Sequence, residues 1–249
     1  IRRAGEEVLV GMPLFSAGQR VDAAVLGVLA SMGADTVLVR PPPRVAVLAT
    51  GDELVSPGMP ALPHQVYESN LLLIAALARE AGAEVVTTAR SRDDDAELRA
   101  AITRLTPRVE VLVTTGGASV GEKDRVKRAL GELGARFLVD GVALKPGKPV
   151  AVAWLGDTAV VVLPGDPGAA TVAFDQFGRP LLLAHTLERE ERRRVRARLS
   201  EGRHKQAGLT YLITTTVEHR EGGGLPWARG RPQGAGQLLQ ELGAEGVAI

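Results

Sequence analysis

From residue 44 to residue 183 the chain alternates short apolar runs with helix-patterned segments, and no other feature restricts its fold as much. The apolar runs cover residues 45–49, 85–89, 109–113, 137–139, 150–154 and 159–163. Helical periodicity occupies 69–81, 96–105 and 125–133, and a longer stretch at 168–183. Valine-rich runs without polar alternation suit strands buried on both faces. Strand–helix alternation then predicts an α/β fold: a mostly parallel sheet covered by helices on both sides. Ser69 and Asp95 are the expected helix N-caps, and Gly82 the expected stop. Ligands of such sheets sit at the carboxyl ends of the strands.

The flanks read differently. Asp22 is the expected N-cap of a helix reaching Met32, with Val25, Leu26, Val28 and Leu29 as its apolar face, and Gly33 ends it. Residues 36–39 read as a strand, and Pro41, Pro42 and Pro43 as a stiff linker. Beyond Leu187 a charge run at 188–194 reads as a solvated connection. Residues 211–217 then have β composition, and glycine-rich turns at 222–224 and 234–236 suit a small β domain. The expected divisions are 1–43, 44–186 and 187–249. The chain opens on Ile1 and closes on a strand-like run at 246–249, so a piece of a longer protein is expected.

Composition excludes several classes. A net charge of +1 gives no basis for a nucleic-acid groove or an anionic membrane surface, and 3% aromatic residues are too few for base-stacking platforms. Without cysteine there are no disulfides and no thiolate metal ligands. No uninterrupted apolar run reaches ~18 residues, so a soluble, cytoplasmic protein is the expectation.

The ends of the expected strands carry the chemistry. Thr114, Thr115, Gly116 and Gly117 open a loop that runs through Ser119 and Gly121 to Asp124 and enters a helix. Small residues between a strand and a helix N-terminus let backbone N–H groups approach an anion, which points to a phosphate-bearing ligand. Thr50, Gly51, Asp52 and Glu53 end the first strand, where paired carboxylates either hold Mg²⁺ or form a plain turn. Asp93 and Asp94 are site candidates, whereas Asp95 reads as a cap. Lys145 and Lys148 flank a Pro-Gly turn, which fixes two cations for an oxyanion. Pro164, Gly165, Asp166 and Pro167 lead the last sheet strand into a helix. There is no P-loop, no G-x-G-x-x-G and no G-x-S-x-G elbow.

TGDEL (50–54), Glu68-Ser69-Asn70, RDDD (92–95), TTGGASVGEKD (114–124), LKPGKP (144–149) and LPGDP (163–167) stand in one order. In that order the chain resembles the molybdopterin molybdenumtransferases, the MoeA family related to the E domain of gephyrin. The resemblance runs over the whole chain in outline and is strongest from 44 to 183. It implies a three-layer molybdopterin-binding domain with a small C-terminal β domain and a residual N-terminal segment. It also implies Mg²⁺-dependent insertion of molybdate into adenylylated molybdopterin, with release of AMP.

Carried over by position, Glu53, Asp93, Asp94 and Asp124 would handle the metal ion and the phosphoanhydride, with Glu53, Asp94 and Asp124 as metal ligands. Lys145 and Lys148 would hold molybdate or phosphate, and Gly116, Gly117 and Ser119 would cradle the pterin phosphate. Thr50, Gly51, Asp52, Thr115, Gly121, Pro164, Gly165, Asp166 and Pro167 would complete the pterin-binding loops. A homodimer and a molybdopterin adenylyltransferase partner are implied as well.

Two loops depart from the family pattern. LPGNPVSA reads LPGDPGAA, which places Asp166 and Ala169, and a QGSG-like loop carries Ala235. They leave open a non-catalytic molybdopterin-binding or scaffolding role, and an adenylyltransferase of the same fold is a further alternative.

Overall fold

The computed structural model describes all residues except 1, 2, 4, 118–123, 187–194, 203, 220–223, 232–245 and 249. Fourteen strands appear in chain order among the described residues: β1 (Arg44–Thr50), β2 (Leu54–Val55), β3 (Val66–Tyr67), β4 (Glu84–Ser91), β5 (Val111–Thr115), β6 (Arg136–Asp140), β7 (Leu144–Lys145), β8 (Ala151–Leu155), β9 (Thr158–Leu163), β10 (Arg198–Leu199), β11 (Thr210–Tyr211), β12 (Ile213–Glu218), β13 (Trp227–Gly230) and β14 (Gly246–Ala248). The helices are α1 (Ala23–Ser31), α2 (Asn70–Glu80), α3 (Asp95–Leu105), α4 (Arg125–Glu132), α5 (Pro167–Ala173) and α6 (Arg179–His185).

The central sheet has the order β4-β1-β5-β9-β8-β6. Pairs β4–β1, β1–β5 and β5–β9 are parallel, while β8 runs antiparallel to both β9 and β6, so the sheet is mostly parallel as expected. Alternate residues of one strand feed two separate cores. Val45 and Val47 of β1 face one side with Val111, Val161 and Leu163, against Ile74 and Ala78 of α2, Phe174, and Leu182 of α6. Ala46 and Leu48 face the other side with Leu112 and Val160, against Leu98 and Ile102 of α3 and Val126 and Leu130 of α4. Each such buried valine, leucine or isoleucine side chain stabilises the fold by roughly 1.5–3 kcal/mol. In β1, β5 and β9 this two-sided demand is why the runs show no polar alternation, whereas the edge strands β4 and β6 alternate exposed and half-buried residues.

Several local expectations are corrected. Residues 36–39 form no strand: Leu38 and Val39 stand exposed, and the prolines that follow lack the N–H that a ladder needs. Of the four apolar residues expected along α1, only Val25 is buried, although Asp22 does cap that helix by accepting the N–H of Val25. Ser69 occupies the N-cap position of α2 without a side-chain bond; the carboxylate of Glu68 accepts the Leu71 N–H instead. Asp94, not Asp95, caps α3 by accepting the N–H of Glu97. Asp95 binds the guanidinium groups of Arg125 and Arg128, which ties α3 to α4.

The helix expected over 168–183 is divided by a π turn, Phe174–Gly178. Pro180 has no N–H and its ring crowds the carbonyl four residues back, so a plain α-helix cannot run through it. The Arg179 N–H bonds to Phe174 O, five residues back, and the chain widens there.

A separate small β domain follows, a four-stranded sheet in the order β10-β13-β12-β14. The expected β run at 211–217 lies in it and in β11. The charge run 188–194 and the glycine turn 234–236 lie outside the described residues, as does most of 222–224. Strand β11 pairs in parallel with β7, Thr210 opposite Leu144 and Tyr211 opposite Lys145. The Thr210 N–H bonds to Ala143 O at 2.8 Å and the Leu212 N–H to Lys145 O at 2.9 Å. Among the described residues no helix is long and apolar enough to cross a membrane.

Candidate functional site

Strand register brings the motif loops to one edge of the sheet. Thr50 pairs with Ser91, Ala49 with Thr115, and Thr115 with Leu163. The loops after β1, β4, β5 and β9 therefore leave the sheet side by side. Because β8 is antiparallel, its first residue, Ala151, pairs with Val162 near the end of β9. The Lys145–Lys148 turn that leads into β8 reaches the same edge.

At that edge the backbone is packed too tightly for side chains. Gly116 has φ +81°, and a Cβ there would lie 2.2 Å from the Thr50 carbonyl oxygen. A Cβ on Gly117 would lie 2.8 Å from the Thr50 methyl and 3.1 Å from Val126. Gly165 in turn backs onto Gly116, where a Cβ would lie 3.3 Å from the Gly116 Cα. Glycine is required so that three loops can touch, which is how a backbone cradle for an oxyanion forms. Ser119 and Gly121, expected in the same cradle, lie outside the described residues.

A buried polar network ties these loops together. Thr50 Oγ1 donates to Asp93 Oδ1 at 3.1 Å, linking the ends of β1 and β4. Asn70 Nδ2 donates to Thr115 Oγ1 and to the Gly165 carbonyl, each at 2.8 Å, and Thr115 Oγ1 donates to Pro164 O at 3.0 Å. Asn70, at the first turn of α2, was not among the expected site residues. Its signal was only the Glu-Ser-Asn run, since a buried polar side chain at the start of a core helix is uncommon without a partner to meet. The buried Asn70 Oδ1 and Thr114 Oγ1 have no hydrogen-bond partner among the described residues. A bound ligand with an N–H donor fits such acceptors.

The carboxylates divide into two sets. Asp52, Glu53 and Asp93 line the rim: the Asp93 N–H donates to Asp52 Oδ1 at 3.3 Å, Arg92 lies 3.7 Å from Asp52, and Glu53 folds back over Gly51, its Oε2 2.7 Å from where a Cβ would stand. Asp94 and Asp124, by contrast, serve as N-caps of α3 and α4. Asp124 is buried, accepts the Lys127 N–H at 3.0 Å and has the Lys127 ammonium 3.4 Å from its Oδ2.

Among the described residues no three His, Asp or Glu gather around one point. The expected metal set of Glu53, Asp94 and Asp124 is therefore not a ready-made cage, since two of its members are committed to helix termini. Mg²⁺ is commonly held by one or two carboxylates together with substrate phosphates. Asp52, Glu53 and Asp93 suit that arrangement better.

Burial pushes the Glu68 carboxyl above its ordinary range, against the opposing N–H bonds from Leu71 and Asn70. The guanidinium groups of Arg128 and Arg125 hold Asp95 below its range.

Asp166 caps α5, its Oδ1 accepting the Ala169 N–H at 2.9 Å, with Pro167 at the first helical position. Lys145 and Lys148 are exposed, and neither meets a carboxylate among the described residues. The turn between them is anchored by buried Gly147, which packs on Leu144 and Ala173.

Residues 46–184 match the family described as "Probable molybdopterin binding domain", a span that takes in all of the central sheet but the first two residues of β1, with the loops at its edge. The chain belongs to that family.

Among named relatives, the chain is 43% identical over 187 residues to molybdopterin molybdenumtransferase 2 of Mycobacterium tuberculosis, covering 73% of this chain and 46% of that protein. It is 33% identical over 223 residues to the molybdopterin molybdenumtransferase of Bacillus subtilis, covering 89% of this chain and 52% of that one. The crystal structure of a molybdopterin biosynthesis MoeA protein from Pyrococcus horikoshii is similar with a TM-score of 0.72 at 28% identity, covering 92% of this chain and 55% of that chain. The chain spans about half the length of the relatives it matches.

Proposed function

We propose that this chain carries the molybdopterin-binding centre of a molybdopterin molybdenumtransferase, which inserts molybdate into adenylylated molybdopterin and releases AMP. The observation that carries this reading is the convergence of four strand-end loops and the Lys145–Lys148 turn on one sheet edge. The relatives' names support the choice of reaction. The proposal includes a division near residues 43 and 186, action in the cytoplasm, and receipt of substrate from a molybdopterin adenylyltransferase. It also includes a homodimer, for which the exposed Leu9, Val10, Leu38 and Val39 offer apolar surface of a kind usually covered.

Each part of the edge has a task. The Gly116–Gly117 backbone, brought against Thr50, receives the pterin phosphate, while Asn70 Oδ1 and Thr114 Oγ1 offer acceptors to pterin N–H groups. Lys145 and Lys148 hold molybdate by charge and stabilise the anionic transition state of anhydride cleavage. Asp52, Glu53 and Asp93, with Asp94, would hold a divalent ion. Mg²⁺ bound there would polarise the phosphoryl oxygens. Ser119, Gly121 and Asp124 complete the loop. Asp166 keeps the helix cap that asparagine would supply.

The test supplies adenylylated molybdopterin, molybdate and Mg²⁺ to the full-length protein. Molybdate-dependent AMP release with cofactor formation is expected. A folded protein that binds the pterin and releases no AMP would reject the proposal.

A further inference from the structure

We infer that Lys205 is a third anion-holding lysine, delivered to the Lys145–Lys148 turn by Tyr211. This rests on the proposed function, which supplies the tetraoxoanion; the chemistry asked of Lys205 is only to bind one.

The chain has five lysines, at 123, 127, 145, 148 and 205. Lys127 is neutralised by Asp124 and Asp140. Lys145, Lys148 and Lys205 are exposed and meet no carboxylate among the described residues. Sixty residues separate Lys145 from Lys205 in sequence, yet both ammonium groups lie over the Tyr211 ring, 5.5 Å and 5.9 Å from its centroid. The two charges therefore stand within the sum of those distances of each other.

Tyr211 is held by its backbone and by its hydroxyl. The parallel pairing of β11 with β7 sets Tyr211 opposite Lys145. The Leu212 N–H bonds to Lys145 O. The Gln206 N–H donates to the Tyr211 hydroxyl oxygen at 3.1 Å, which closes the segment that carries Lys205 back onto the ring.

Gathering like charges without a counter-charge is unfavourable. The negative face of the ring offsets part of that cost but neutralises neither cation. What remains is a cationic surface beside the sheet edge that would attract an anion. A lysine suits this task because its compact ammonium can turn to any oxygen of a tetrahedral oxyanion. Tyr211 acts as a positioning residue and touches no oxyanion oxygen in this account.

The experiment measures binding of molybdate, tungstate, sulfate and phosphate to the chain by calorimetry, with Lys205→Met and Lys205→Arg beside the parent. In parallel, mass spectrometry follows acylation of Lys205 with and without molybdate. Expected is a roughly five- to tenfold weaker molybdate affinity in Lys205→Met, with most of it restored in Lys205→Arg, and shielding of Lys205 from acylation by molybdate. Lys205→Met that binds molybdate like the parent, with no shielding, overturns the role of Lys205 and leaves the proposed function standing. Lys205-dependent binding of sulfate or phosphate without molybdate keeps this assignment and counts against the molybdate reading. No binding of any of the four overturns the inference.

Discussion

Asn70 Nδ2 stands 2.8 Å from Thr115 Oγ1, and through that contact a helix residue fixes the end of a strand 45 positions away. The same nitrogen holds the Gly165 carbonyl, so one side chain sets the spacing of two strand-end loops. Asn70→Leu would remove both bonds, the one to Thr115 in a buried setting. A loss of about 1–3 kcal/mol is expected. Urea unfolding of parent and variant measures it, and an unchanged midpoint would show that the tie is dispensable.

Gly116→Ala should separate ligand binding from simple backbone strain. Its Cβ would meet the Thr50 carbonyl at 2.2 Å, so the loop must move. Gly134 has a similar φ of +84° with nothing within 4 Å of a Cβ, so alanine there meets only the left-handed penalty of about 1–2 kcal/mol. Fluorescence titration with molybdopterin should show at least tenfold weaker binding for Gly116→Ala and parent-like affinity for Gly134→Ala.

Two carboxylates should shift stability with pH in opposite senses. Glu68 is raised in the fold, mainly by burial, so its contribution is full below its ordinary value near 4.5 and is lost as pH rises through the folded value. Asp95 is lowered by Arg128 and Arg125, so its contribution is present above the ordinary value near 3.8 and is lost as pH falls through the folded value. Denaturation between pH 3 and 8 should lose the first slope in Glu68→Gln and the second in Asp95→Asn. Parent-like curves for both variants would refute the assignments.

Asp166→Asn keeps an N-cap and removes one negative charge from the edge. Stability should change by only a few tenths of a kcal/mol, whereas Asp166→Ala should lose about 1 kcal/mol. Phosphate or molybdate affinity should rise roughly two- to fivefold in Asp166→Asn at low salt. Unchanged affinity would mean that the carboxylate does not face the bound anion.

The sheet was legible because its demands are repetitive: β1 and β9 bury almost every residue, and valine and alanine runs announce that directly. The strand-end motifs were legible because small residues, prolines and charges recur where the runs stop. One-residue choices were not. Asp93, Asp94 and Asp95 are chemically alike, and which of them caps α3 depends on where the backbone turns.

The capping bonds of Asp94 and Asp124 were hidden for a related reason, since the sequence shows the carboxylates but not the helix N–H groups they meet. Asn70 was hidden because its two partners come from distant strands. The Lys145–Tyr211–Lys205 contact was hidden because it arises from pairing of two-residue strands, too short to leave a pattern.

Hydrogen exchange of the protein with and without adenylylated molybdopterin tests the central claim most directly. Slowed exchange is predicted at the backbone amides of residues 51–53, 92–94 and 114–117 and of Gly165 and Asp166, with little change in β12 and β13. Protection confined to the four-stranded sheet, or none at the carboxyl edge of β1, β4, β5 and β9, would contradict it.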